Sequence, residues 1–265
     1  ICAAGNYLSG AVWPPVVQHF IGTSGWRTAH IGVGMFCLVT MVPLALLLRR
    51  RATVQRTAAV ETDASEARAS LGISPNALQI LLSVSAVCCC IAMAMPQVHI
   101  VAYCGQLGYG VARGAEMLSL MFGFGVISRI ASGYAADRIG GVATLLIGAL
   151  LQSLALMLFL LFDELGSLYV ISALFGLFQG GIVPSYAIIV REYFSPREAG
   201  MRVGIAIMAS LFGMAAGGWL AGKIFDLAGS YALAFANGIG FSMITVMITA
   251  WLLLRTRRGR ALVAA

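Results

Sequence analysis

Eight apolar runs divide this chain, at residues 1–21, 28–48, 77–103, 113–134, 142–162, 168–190, 201–222 and 231–254, and nearly all charges fall in the gaps between them. A helix rises about 1.5 Å per residue, so each run comes close to the roughly 20 residues that cross a hydrocarbon layer about 30 Å thick. No water is available in that layer to satisfy backbone N–H and C=O groups, and a helix satisfies them within one segment. The sequence therefore predicts an all-α fold, a polytopic transmembrane helix bundle of eight helices. Composition agrees, since 60% of the residues are hydrophobic and 10% charged, whereas soluble domains carry about a quarter charged residues.

A net charge of +7 invites a nucleic-acid partner, but the basic residues gather at run ends and form no patch on a soluble domain. Arg49, Arg50, Arg51, Arg56, Arg68, Arg129, Arg138, Arg191, Arg197, Arg202, Arg255, Arg257, Arg258 and Arg260 fall on one side of the alternating runs. Arg27, Arg113 and Lys223 fall on the other. This is the positive-inside pattern, and it predicts a cytoplasmic location for the gap 49–76, for the gap after residue 134 and for the C-terminus. The chain opens on Ile1 without an initiator Met or a basic leader, so a signal peptide is not expected and further sequence upstream is.

Of the six cysteines, Cys88, Cys89 and Cys90 are consecutive in an apolar run, and Cys2, Cys37 and Cys104 have neither metal-ligand nor disulfide-framework spacing. They read as small packing residues, with no metal or cofactor implied. No P-loop, zinc spacing or catalytic triad pattern is present, which argues against nucleotide-driven pumping and against an enzyme. Ser74-Pro75 supplies a helix cap followed by proline at the first helical position. Ser195 and Glu198 have capping-box spacing at the start of the seventh helix, and Pro96 predicts a bend in the third.

Gly133-Tyr134-Ala135-Ala136-Asp137-Arg138-Ile139-Gly140-Gly141 occupies a short polar gap, with Arg129 just before it inside an apolar run. This Gly-x-x-x-Asp-Arg-x-Gly-Gly pattern resembles the signature loop motif of the major facilitator superfamily, whose members join two six-helix bundles by a long cytoplasmic linker. The resemblance covers the whole chain as the last eight of twelve helices. It implies that residues 1–48 are the last two helices of an N-terminal bundle, 49–76 the linker, 77–254 the C-terminal bundle and 255–265 a cytoplasmic tail. About four helices would then precede Ile1. An internal repeat fits this division: Gly32, Gly34, Leu46 to Leu48 and Arg49 match Gly238, Gly240, Leu252 to Leu254 and Arg255 at one common offset, and upstream Gly25 falls into register with Gly229 after a short slip. Gly25-Trp26-Arg27 and Tyr193-Phe194-Ser195-Pro196-Arg197-Glu198-Ala199-Gly200 are similar to segments of the monocarboxylate porter and oxalate/formate antiporter branch.

In that branch an arginine in the helix preceding the motif is implicated in holding a substrate carboxylate, and Arg129 matches its place. Monocarboxylate porters resemble an Asp-x-x-x-Arg pair there, where this chain has Gly125, and the seventh helix offers no lysine within the membrane. The resemblance thus implies a single anion contact rather than a clamp for a dianion. An arginine inside an apolar helix costs about 2.5–3.5 kcal/mol on insertion scales, so it faces a cavity or a partner, and its planar fork suits a carboxylate. The bland alternative is that Arg129 snorkels to the headgroups or pairs with Asp137.

Asn6, Trp13, Gln97, Tyr103, Gln179 and Tyr186 are further cavity candidates, each also able to serve as interhelical glue. Asp137 is placed to meet the positive start of the seventh helix and Arg202, latching one side of the protein shut. Gly133, Gly140 and Gly141 would permit a close turn there, with Arg138 and Glu198 beside it. His99 is the candidate for a coupling proton. Gly213-x-x-x-Gly217 and Gly218-x-x-x-Gly222 read as packing faces. The functional expectation is a secondary active transporter moving a small organic anion, a monocarboxylate, by alternating access. Its partners are that anion, the lipid bilayer, protons and the preceding helices of the same protein. A neutral or larger substrate with Arg129 structural, and a non-transporting membrane fragment, stand as alternatives.

Overall fold

A computed structural model describes residues 2–47 and 71–263, with side chains from 5–47 and 71–256. Most of the predicted linker and the basic residues at its start, together with Arg257, Arg258 and Arg260, lie outside the described side chains. Among the described residues are nine helices: α1 Cys2–Ser24, α2 Trp26–Leu47, α3 Pro75–Gln106, α4 Val111–Ile139, α5 Gly141–Leu161, α6 Leu165–Gln179, α7 Ile182–Tyr193, α8 Pro196–Ala228 and α9 Ala232–Val263. Seven stretches are both long and apolar enough to cross a membrane, α6 and α7 together counting as one. The remaining helix, α1, has the length, at 23 residues, but carries Asn6, Ser9, Gln18 and His19.

The helix boundaries follow local chemistry. Ser74 caps α3, its side chain accepting the Ala77 N–H at 3.2 Å, with Pro75 directly after it. α3 continues through Pro96 to Gln106 as one helix. α6 and α7 are separated at Gly180 and Gly181 because Pro184 has no N–H to return to the Gly180 carbonyl. The capping box expected at Ser195 does not form. Ser195 makes no side-chain cap bond, and the Glu198 carboxylate instead accepts the Arg202 Nε–H at 2.8 Å. Gly25 and Gly229, with φ of 81° and 68°, make the tight joints α1–α2 and α8–α9, a left-handed conformation that glycine adopts without strain.

The signature motif also differs from expectation. Gly133 through Ile139 form the last two turns of α4, and the connection to α5 is Gly140 alone, at φ 84°. Gly133 sits within the helix with nothing near it, whereas a Cβ on Gly141 would press on Ile189 at 2.8 Å.

α3 runs through the centre, packed on α8, α9 and α4. Leu82, Ala86, Cys89, Cys90, Ala92, Met95 and Ile100 along it are buried. Small residues let the neighbours approach to backbone contact. A Cβ on Gly213 or Gly217 would stand 2.5 Å from the carbonyl oxygens of Val87 and Ile91 respectively. Met121, Gly125, Ser128 and Ser132 of α4 similarly meet Gly176, Gly180 and Gly181. α1 packs on α4, and α2 on α1, with apolar side chains such as Ile31 and Val39 turned outward as a lipid solvent requires. Cys88, Cys89, Cys90 and Cys104 are buried free thiols.

Candidate functional site

Arg129 lies on the face of α4 that meets α1. Its guanidinium carbon is 3.8 Å from the ring centroid of Tyr7, a cation–π contact well inside the roughly 6 Å at which the ring quadrupole attracts a cation. Tyr7 is buried, and its ring meets Phe122 edge-on at 5.2 Å. Gly125 makes the approach possible, because a Cβ there would overlap the Tyr7 ring. The Tyr7 hydroxyl interacts with Arg129 and with Gln97 of α3. The buried Nε2 of Gln97 nevertheless completes no hydrogen bond of good geometry among the described residues. Gln179, at the α6–α7 break beside this part of α4, is fully buried with neither amide atom bonded among the described residues.

Other candidates are engaged elsewhere. Tyr186 is hydrogen-bonded to Ser85 at 3.0 Å and donates toward Cys89 Sγ at 3.3 Å. Gln152 donates to the Cys89 carbonyl and Thr245 to that of Ser85, so these residues form a polar seam joining α3, α5, α7 and α9. Tyr103 packs edge-on against Tyr231 and Phe235, beside a cavity of about 280 Å³ that also holds Asp163 and Ser230. Trp13 pairs with Phe36 of α2, and Asn6 is exposed. His99 bridges helices: its Nε2–H donates to the Gly218 carbonyl at 2.8 Å, which leaves Nδ1 to accept from the Tyr231 hydroxyl at 3.2 Å.

A second polar region closes the opposite end of the bundle. Asp137 lines a cavity of about 800 Å³ together with Arg191, Glu192, Phe194, Pro196 and Gly200, which places it across from the start of α8. Arg202 lies apart from that lining. It is buried, paired with Glu198 and stacked at 4.4 Å over Phe194. Arg138 turns back onto Tyr134, donating to its hydroxyl at 2.7 Å. Glu192 is the residue that sequence reasoning missed here. Its Oε1 accepts the Gly141 N–H at 2.9 Å, which satisfies one of the orphan donors of α5 and sets a negative charge at the positive helix end.

The model of the major facilitator superfamily matches residues 1–165 and again 107–265. The chain belongs to the major facilitator superfamily. It is accordingly a multi-pass membrane protein of a transporter family and not an enzyme. Among curated members it is 28% identical to monocarboxylate transporter 13 of Rattus norvegicus over 143 residues, which are 53% of this chain and 33% of that protein. It is 31% identical to probable anion transporter 5 of Arabidopsis thaliana over 124 residues, 46% of this chain and 29% of that protein. Probable anion transporter 7 of Oryza sativa subsp. japonica is 34% identical over 115 residues, 43% of this chain and 26% of that protein. The chain thus spans a third or less of the length of these superfamily relatives.

Tyr7 is the other functional candidate absent from the sequence reading. As a hydroxyl-bearing ring in an apolar run it carried no signal beyond that of an interface anchor. What gives it a role is its partner 122 residues away, which only the α1–α4 packing reveals.

Proposed function

We propose that the intact protein is a secondary active transporter that moves a small organic anion, a monocarboxylate, by alternating access, with Arg129 as the anion contact. The observation that carries this reading is the position of Arg129, a guanidinium held against Tyr7 at the junction of α1 with α4. Stacking occupies the face of a guanidinium, while its N–H donors radiate in the plane where a carboxylate binds. The junction joins segments from either side of the predicted linker, where an alternating-access protein needs its substrate contact. The names of the matched relatives, a monocarboxylate transporter and two probable anion transporters, agree in substrate class.

The motif end is the gate in this reading. Asp137 faces the start of α8 across its cavity, Glu192 ties α7 to the start of α5, and the arginine distribution favours a cytoplasmic location for this end and the C-terminus. Opening requires the start of α8 to move away from Asp137 at the end of α4.

The test is uptake of radiolabelled acetate, pyruvate and lactate by the intact gene product in vesicles, beside Arg129→Ala and Arg129→Lys. Both variants are expected to lose uptake by about a hundredfold while inserting normally, the lysine because it lacks the planar fork. Retained uptake in both would show that Arg129 is not the anion contact, whereas absence of uptake of all three acids by the unmodified protein would favour the second reading, a neutral or larger substrate with Arg129 structural, for which the same Tyr7 contact supplies the rationale.

A further inference from the structure

Tyr7 reaches Arg129 only because two glycines clear the α1–α4 crossing. A Cβ on Gly10 would press into the Phe122 ring at 2.6 Å, and one on Gly125 would overlap the Tyr7 ring. With those side chains absent, the Tyr7 ring is 4% exposed, fixed by Phe122 at its edge and by Arg129 at 3.8 Å over its face. A tyrosine has two rotatable bonds, so these contacts define its position and, through it, that of the guanidinium carbon. The hydroxyl extends to Gln97 on α3. One side chain of α1 therefore touches the cation of α4 and the amide of α3.

The contact between the Tyr7 hydroxyl and the Gln97 amide is itself imperfect. Gln97 is 9% exposed and its Nε2 donor completes no bond of good geometry among the described residues, whereas buried donors are nearly always paired. A carboxylate in the guanidinium plane would bring acceptor oxygens to both groups, with the ring as its apolar wall. Resting on the anion reading of Arg129, we propose that Tyr7 is a positioning residue for the substrate: its ring fixes the Arg129 guanidinium so that one carboxylate is held between Arg129 and the Gln97 amide. The site is thereby shared between α1 and the α3–α4 pair, and neither part completes it alone.

The experiment measures KM and the maximal rate for radiolabelled acetate, pyruvate and lactate in vesicles containing the intact gene product. Tyr7→Met keeps much of the side-chain volume and loses the π face. It is expected to raise KM about tenfold with the maximal rate nearly unchanged, while Tyr7→Phe, which restores the ring, stays within about threefold of the original. Gly125→Ala displaces the ring without altering it and is expected to reproduce the Tyr7→Met increase. An unchanged KM in Tyr7→Met alongside uptake lost in Arg129→Lys would overturn the role of Tyr7 and leave the anion reading standing. Uptake that survives in the Arg129 variants, or absence of uptake of all three acids by the unmodified protein, would remove both. If Tyr7→Met and Gly125→Ala are both missing from the membrane while Tyr7→Phe inserts, Tyr7 is a folding contact and the assignment falls.

Discussion

Glu192 and Arg202 illustrate how much of a charged residue's role depends on its nearest partner. From sequence, Arg202 belonged with Asp137 and Glu198 with Ser195. In the folded chain Glu198 and Arg202 satisfy each other, one helical turn apart, at 2.8 Å. That i, i+4 spacing is available without any tertiary contact, and it removes both groups from the roles suggested by the wider pattern. Glu192 instead caps a different helix, accepting the Gly141 N–H at the start of α5. Replacing Glu192 by Ala strips the acceptor from the Gly141 N–H and is expected to destabilise by about 1 kcal/mol, while Glu192→Gln keeps an acceptor oxygen and recovers part of that. Thermal unfolding of the detergent-purified protein checks both. Arg129 was legible as a residue out of place in an apolar run. Tyr7 was not, because an aromatic ring in a membrane segment conforms to its surroundings until its partner is known.

Helices were the most legible level, since length and hydropathy alone located every spanning run. Their ends were less so. α4 absorbs most of the motif that charge patterning assigned to a loop, because Ala135 and Ala136 favour helix and nothing before Gly140 stops it. The break between α6 and α7 lay inside one apolar run, marked only by Gly180, Gly181 and Pro184. Helix packing yields a sharper expectation. Gly217 and Gly204 lie in the same helix, but a Cβ at Gly217 would meet the Ile91 backbone at 2.5 Å, and one at Gly204 would meet nothing within 4 Å. Gly217→Ala should therefore cost about 1–3 kcal/mol by forcing α3 and α8 apart, and Gly204→Ala should stabilise by up to about 1 kcal/mol through helix propensity. Melting temperatures that move in the same direction would contradict the close α3–α8 contact at Gly217.

At the scale of the molecule, the chain is proposed to divide between two bundles. The glycines that the repeat set side by side, Gly25 and Gly229, both have positive φ; Gly25 alone joins α1 to α2, and Gly229 opens the three-residue joint from α8 to α9. α1 and α2 are attached to the rest chiefly through α4, and α2 presents apolar side chains outward along its length. The proposed substrate contact sits on this attachment, between Tyr7 of α1 and Arg129 of α4. Vesicles containing this chain alone are expected to bind but not accumulate a labelled monocarboxylate, and accumulation at the rate of the intact gene product would refute the two-bundle reading.

Gly125 also bears on how such a protein can change over generations. The resemblance to monocarboxylate porters implies an aspartate at this place, yet in this chain a Cβ at residue 125 enters the Tyr7 ring. A lineage starting from this sequence cannot reach that aspartate in one step without displacing the Tyr7 ring. Tyr7 has to shrink first, and if its ring positions the anion contact, that step weakens the grip on the substrate before the acid arrives. The order of substitutions is therefore constrained, and Gly125 ties the history of α1 to that of α4.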